Sequence, residues 1–159
     1  PMMQIRKRIP QGACGRYYAA GRNMAMDSFR LHERLAADTS FLADWGLSRL
    51  LLMNDARYPW LILVPRRIGL SEIHELKHAE RMVLIEEINR ASLGLKTIAN
   101  AVKVNVGALG NLVPQLHVHV VARKLGDAAW PGPVWGNGQA VAYEQGVKDA
   151  LIAQLRGKL

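Results

Sequence analysis

The sequence has little of what would indicate a secreted, membrane-spanning or disordered protein. It contains one cysteine, Cys14, among 159 residues, which excludes an internal disulfide framework and favours a reducing compartment. It has no apolar run of about 18 residues, so no transmembrane helix is predicted. Aromatic residues are only 6% of the chain, but hydrophobic residues are 50% and charged residues 21%, which predicts a single packed domain. We expect a cytoplasmic protein with no membrane association.

Acidic residues are absent from residues 1–25, where much of the formal net charge of +8 is concentrated. The basic residues of this segment are Arg6, Lys7, Arg8, Arg16 and Arg22. The segment has no long apolar core, so it does not resemble a secretory signal. We expect a flexible, solvated tail followed by one domain over residues 26–159. The alternatives are a transit-like amphipathic segment and a nucleic-acid-binding arm, although the rest of the chain is only mildly basic, so we do not expect nucleic acid as a partner.

The apolar pattern predicts an α+β domain with an antiparallel sheet of about five strands. Short apolar runs between breakers indicate strands over residues 47–53, 60–64, 103–106 and 115–123, and the first two are placed to form a hairpin. One long helix, with Ser71 as a candidate N-cap, and one C-terminal helix over 143–155 complete the fold. The long helix has an apolar face formed by Leu84, Ile88, Ala91, Leu95, Ile98 and Val102.

The last predicted strand carries the residues best suited to chemistry. Because side chains alternate along a strand, Gln115, His117 and His119 lie on one face while the intervening leucine and valines face a core. A neutral imidazole can attack phosphorus without an external base. The preceding segment, residues 107–114, is rich in glycine and contains an asparagine, which lets backbone N–H groups approach an anion closely.

Other interpretations of these histidines are open. The strand could be half-exposed, with a polar face that merely meets water. The His-x-His spacing is also common among metal ligands, but a third ligand is not evident nearby. Residues 74–78 spell His-Glu-Leu-Lys-His, the H-E-x-x-H pattern of zinc peptidases, in which His74, Glu75 and His78 would share a helix. A solvated first turn of a helix is the simpler explanation of that pattern.

Two segments resemble the histidine triad (HIT) superfamily. Residues 105–123 resemble its signature, His-φ-His-φ-His-φ-φ with φ apolar, except that Gln115 stands at the first histidine. Residues 51–66 resemble the family's strand, turn and second strand ending in Pro-Arg, and Trp60 stands where the family often has a histidine that supports the first triad member. With the Trp-Pro-Gly-Pro-Val-Trp segment over 130–135, the chain is similar to a bacterial branch described as diadenosine tetraphosphate hydrolase-like.

The resemblance implies a nucleotide hydrolase or nucleotidyl transferase acting at an α-phosphate of a dinucleoside polyphosphate or nucleoside phosphoramidate. His117 matches the nucleophile that forms a nucleotidyl-histidine, and His119 the histidine that contacts the transferred phosphate. With Gln115, these are the expected catalytic residues. The expected substrate-binding residues are Asn54, Asn105, Gly107, Asn111, Arg123 and Trp130. Trp130 and Trp135 are candidates for stacking on a base.

The resemblance also implies a homodimer with a continuous sheet and a reaction that needs no protein-bound metal or other cofactor. A divalent cation could accompany a polyphosphate substrate. Because Gln115 and Trp60 both depart from the family pattern, a non-catalytic nucleotide-binding module is the main alternative to an enzyme.

Overall fold

The fold is built on one antiparallel sheet with both faces covered, and the computed structural model describes residues 28–159. The expected tail over residues 1–25 and Cys14 lie outside the described residues. The strands are β1 (Thr39–Asp44), β2 (Ser48–Met53), β3 (Trp60–Pro65), β4 (Lys103–Gly107) and β5 (Val118–Arg123), in the order β1-β2-β3-β5-β4. The helices are α1 (Glu33–Asp38), α2 (His78–Ala99) and α3 (Gln145–Lys158). The predicted α+β class, five-stranded sheet, long helix and C-terminal helix are confirmed.

The central strand β3 positions the histidine face of β5. β2 and β3 form the predicted hairpin, and all six residues of β3 are buried. β3 pairs with β5 so that Ile62 lies opposite His119 and Trp60 opposite Val121. On a pleated strand Trp60 and Ile62 share a face, so this register brings the indole of Trp60 beside the imidazole of His119.

Alternation along β3 and β5 divides the core into two clusters. On one face, Leu61, Leu63 and Val120 belong to the cluster that also contains Leu84 and Leu95 of α2. The opposite face packs against α1 and the loops, in a cluster that includes Leu35, Tyr58, Trp60, Ile62, Val64, Val113, Val121 and Val134. The face that carries the histidines is therefore covered by α1 and the loops, and both rings are buried. The interpretation of this strand as half-exposed, with a polar face that merely meets water, is wrong.

The start of the long helix differs from the prediction. Ser71 does not cap it: residues Ile73–Glu75 form a 3₁₀ turn, and α2 begins at His78 after the N-cap residue Lys77. The Glu75 carboxylate accepts the backbone N–H groups of Ser71 and Glu72, which favours the separate turn over a continuous helix. At the other end, Asn100 adopts a left-handed conformation (φ 48°) that ends the helix before Val102.

Strand β1 was not predicted from the sequence, and β5 begins later than predicted. β1 has no strong apolar alternation and went unassigned, since its burial depends on α1 and on pairing with β2. β5 begins at Val118 rather than at residue 115. No helix within residues 28–159 is long and apolar enough to cross a membrane.

A buried carboxylate links α2 to the sheet. Glu87 is 7% exposed, and its carboxylate accepts the N–H groups of Leu47 at 2.8 Å and Ser48 at 3.1 Å, just where β2 begins. These donors would otherwise be buried without a partner, at a cost in folding free energy.

We therefore expect Glu87→Ala to lower the free energy of unfolding by about 2–3 kcal/mol, because it leaves two buried donors unpaired. Urea denaturation measures the loss. The neighbouring, exposed Glu86 provides the control, since Glu86→Ala should change stability by less than about 0.5 kcal/mol. Equal effects of the two substitutions would contradict this role of Glu87.

Candidate active site

His117 is held in one tautomer by the backbone just before it. Its Nδ1 lies 2.7 Å from the carbonyl oxygen of Gln115. A carbonyl oxygen only accepts hydrogen bonds, so Nδ1 carries the proton and Nε2 has the free lone pair. The ring is 7% exposed and lines a cavity on this face of the sheet. The arrangement prepares Nε2 to act as a nucleophile or acceptor.

His119 is held in the opposite tautomer. The indole Nε1–H of Trp60 donates to His119 Nδ1 at 3.0 Å, so in the neutral ring Nδ1 is unprotonated and the proton is on Nε2. Burial, together with the nearby His117, lowers the pKa of His119 to about 3. The His119 ring is therefore neutral at ordinary pH, and its Nε2–H is a hydrogen-bond donor for a ligand.

The two imidazoles lie edge to face with their centroids 4.8 Å apart, inside a group of aromatic rings. Trp60 and Trp135 flank His119 at centroid distances of 5.4 and 5.9 Å. The aromatic contacts restrict how the His119 ring can rotate. The pair thus presents one lone pair and one N–H to the same cavity.

The cavity beside the histidines has a volume of about 450 Å³, within the range of small-molecule sites. Its lining combines aromatic and apolar side chains with charged groups from α1 and the β2–β3 turn. The lining residues on which the site depends are His117, His119, Trp60, Trp135, Asn111 and Gly110, together with Arg34, Asp38, Asp55 and Arg57.

The structure places Gln115 outside this cavity lining. Its side-chain oxygen accepts the N–H of His32 at 2.9 Å, and its amide nitrogen donates to the carbonyl of Arg30 at 2.9 Å. Both ends of the amide are hydrogen-bonded to the segment before α1, so the side chain is held away from the cavity, and a catalytic role for it stays a prediction. Gln115 acts on the site through its backbone carbonyl, which sets the tautomer of His117.

The glycine-rich loop contributes only part of what was expected. Asn111 lines the cavity with Gly110, whose positive φ of 70° is a conformation that favours glycine. Asn105 and Gly107 are not among the lining residues. The Asn105 side chain accepts a hydrogen bond from Arg123, and Gly107 lies against Trp135, where a β-carbon would approach the indole to 3.0 Å.

Arg123 and Trp130 also lie apart from the cavity lining. Arg123 is 2% exposed and donates two hydrogen bonds to the Asp127 carboxylate, with further bonds to Asn105 and the Gly132 carbonyl. The same hydrogen bonds hold the pKa of Asp127 below its usual range. Trp130 stacks over the Arg123 guanidinium, whereas Trp135 is the tryptophan of that loop that lines the cavity.

Asn54 lies beside the cavity without lining it. Its side-chain oxygen accepts a hydrogen bond from the hydroxyl of Ser40 on β1, while its neighbours Met53 and Asp55 do line the cavity. Asn54 therefore joins β1 to the end of β2, and its role in binding substrate stays a prediction.

Asp55 and Arg57 are site residues that sequence reasoning missed. Burial raises the pKa of Asp55, but hydrogen bonds from Arg57 and the Val141 N–H outweigh burial and hold it below its usual range. Arg57 also donates to the carbonyl of Asn137, which fixes the loop before α3 against the cavity. The sequence feature that could have indicated them is an aspartate and an arginine two residues apart, Asp55 and Arg57, in the turn of the predicted hairpin.

The H-E-x-x-H interpretation fails on geometry. His74 and Glu75 belong to the 3₁₀ turn and His78 begins α2, so they do not share one helical face. Within residues 28–159, no three side chains of histidine, cysteine, aspartate or glutamate are grouped as a metal site would need.

The neutral His119 makes stability depend on pH. The unfolded chain takes up a proton at the ordinary pKa of 6.5, whereas the folded protein does so only at about 3. The contribution of His119 to the free energy of unfolding is therefore fully present above pH 6.5, and it is lost progressively as the pH falls toward 3. Between pH 6.5 and about pH 4, we expect wild type to lose up to about 3 kcal/mol more than His119→Gln in urea denaturation. Equal losses would contradict the lowered pKa.

Comparisons with known proteins identify the family to which this fold belongs. The family model described as HIT domain matches residues 34–126. A histidine triad protein from Bradyrhizobium japonicum is 49% identical, with a TM-score of 0.81, over 82% of this chain and 98% of its own. Histidine triad proteins from Sinorhizobium meliloti (46%; 82% and 97%) and Marinobacter aquaeolei (47%; 83% and 96%) have the same TM-score of 0.81.

No curated protein matches the chain. The family-model match spans more than half of the sequence, and the structural matches agree in fold and carry substantial identity. The chain belongs to the histidine triad (HIT) family.

Proposed function

We propose that the protein transfers a nucleotidyl group from the α-phosphate of a nucleotide substrate to Nε2 of His117, and then to water or another acceptor. The observation that carries this proposal is the hydrogen bond from His117 Nδ1 to the Gln115 carbonyl. It removes the need for a general base, because the attacking nitrogen already has its lone pair free.

The surroundings of His117 support attack at phosphorus. The Nε2–H of His119 is available to bind a non-bridging phosphate oxygen as negative charge develops. Asn111 and Gly110 bring a side-chain amide and a glycine backbone to the same cavity. Trp135 provides an apolar surface on which a base could rest. The proposed reaction uses no metal bound by the protein. A divalent cation would reach the site only when it is bound to a polyphosphate substrate.

Substitution of the nucleophile tests the proposal directly. We expect His117→Ala to lower kcat/KM for diadenosine tetraphosphate by roughly a thousandfold or more, because the covalent route is lost. Wild type should form a nucleotidyl adduct on His117 that is visible by intact-mass spectrometry under non-acidic quenching. The exposed His74 supplies the control, since His74→Ala should retain full activity.

The alternative of a non-catalytic binding module has a different signature. It would give saturable AMP binding by wild type with no adduct and no turnover of any nucleotide. That result would overturn the proposed reaction while leaving the cavity as a nucleotide site.

We further propose that the protein is a homodimer whose sheet continues across the interface at β4. β4 is an outer strand of the sheet, and Val106 on it exposes about half of its surface (47%). The following loop exposes Leu109 and Leu112 as well. An outer strand with apolar neighbours favours pairing with a second strand.

This assembly predicts that Val106→Glu weakens dimerisation by roughly tenfold or more, because it places a charge in an apolar contact. Analytical ultracentrifugation over a concentration series measures the dissociation constant. Val147→Glu on α3, where the valine is similarly exposed, is the matched control and should leave association unchanged. A monomeric wild type at every concentration would contradict the dimer.

A further inference from the structure

The hydrogen bond between Trp60 and His119 bears on which substrates the site can use. Breaking a bond at phosphorus leaves an electron pair on the departing group. An amine needs a proton to depart, whereas a phosphate departs as a stable anion. The proton donors near His117 therefore determine which leaving groups are accepted.

His119 is the closest candidate acid, and its geometry denies it that role. A ring that acts as an acid must be able to become imidazolium, which requires protons on both nitrogens. The Trp60 N–H already occupies Nδ1 from 3.0 Å, and a second N–H there would face it donor to donor. His119 can donate a hydrogen bond from Nε2. It cannot readily transfer that proton to a leaving group, because it would first need a second proton on Nδ1, where the Trp60 N–H lies. Its pKa of about 3, set by burial and His117, agrees with this geometry.

The remaining described groups around the cavity offer no substitute acid. Gln115 is an amide with both ends hydrogen-bonded to the segment before α1. Asp55 is ionised because Arg57 and the Val141 N–H hold its pKa low. Asp38 pairs with Arg34 at 3.6 Å, and guanidinium groups do not release protons at physiological pH.

We propose that the site is selective for nucleoside phosphoric anhydrides, whose leaving group departs as an anion, over phosphoramidates, whose amine must be protonated. Trp60 is the positioning residue for this selectivity, because it fixes His119 as a neutral donor. The inference rests on the proposed nucleotidyl transfer to His117 and narrows its substrate class.

The transfer balances without an acid. The lone pair of His117 Nε2 forms the N–P bond as the bridging P–O bond breaks, and the leaving phosphate keeps the electron pair as an anion. The imidazole becomes a cation that retains its proton on Nδ1, hydrogen-bonded to the Gln115 carbonyl. Water then attacks phosphorus, the N–P electron pair returns to Nε2, and one proton from water passes to solvent. An amine leaving group would instead depart as an amide anion, which is not a feasible product.

Nuclear magnetic resonance of ¹⁵N-labelled wild type tests the positioning without any turnover. We expect His119 to have its proton on Nε2 and to stay neutral down to about pH 4, given its low pKa. His117 should show the opposite tautomer, with its proton on Nδ1. A His119 ring protonated on Nδ1, or one that titrates near neutral pH, would overturn the inference.

Substrate comparison tests the selectivity. At mildly alkaline pH, wild-type kcat/KM for diadenosine tetraphosphate should exceed that for adenosine 5′-phosphoramidate by roughly 100-fold or more, the scale of general-acid catalysis. In Trp60→Phe, which removes the indole N–H, this ratio should fall by about tenfold or more as His119 becomes able to take a proton on Nδ1. Tyr58→Phe is the matched control: Tyr58 packs edge-on against Trp60 and its buried hydroxyl has no hydrogen-bond partner.

The outcomes separate the inference from the proposed function. Comparable kcat/KM values for the two substrates in wild type, or a Trp60→Phe ratio equal to that of wild type, would overturn the inference while nucleotidyl transfer stands. Absence of turnover for both substrates, with no adduct on His117, would overturn the proposed function and the inference with it. If Trp60→Phe does not fold, the tautomer of His119 in the wild type and the wild-type ratio of kcat/KM values for the two substrates decide whether the inference holds.

Discussion

The antiparallel pairing of β3 with β5 is the constraint on which the site depends. It sets Ile62 opposite His119 and brings the Trp60 indole within hydrogen-bond distance of the His119 ring. A slip of one residue would turn Trp60 to the opposite face of the sheet, toward α2. Complete burial of β3 makes such a slip costly, because every side chain of the strand would move to the wrong cluster. The β3–β5 pairing that stabilises the sheet thus also determines which nitrogen of His119 carries the proton.

The elements with strong local periodicity were predictable from the sequence. The hairpin over β2 and β3, the long helix and the alternation around His117 follow from spacing alone, since each pattern has one way to bury its apolar residues. The alternation begins before the regular strand does, because Leu116 already packs in the core cluster although β5 begins only at Val118. The pair of histidines was therefore identifiable before the fold was known.

The unpredicted features are those set by contacts distant in sequence. Gln115 is directed away from the cavity by Arg30 and His32, more than 80 residues earlier in the chain. Arg123 is enclosed by Asn105 and a loop carbonyl that no local pattern links to it. Polar side chains have many possible partners, so a motif that gives their spacing does not give their orientation. Apolar periodicity, by contrast, constrains which side of an element meets the core.

The two hydrogen bonds from the Gln115 side chain tie the backbone at Arg30 and His32 to the residue whose carbonyl orients the His117 ring. Displacement of the backbone at residues 30–32 would therefore be transmitted, through the Gln115 side chain, to the direction in which the Nε2 lone pair of His117 points. The segment before α1 thus helps to fix the orientation of the His117 ring, in addition to leading into the helix.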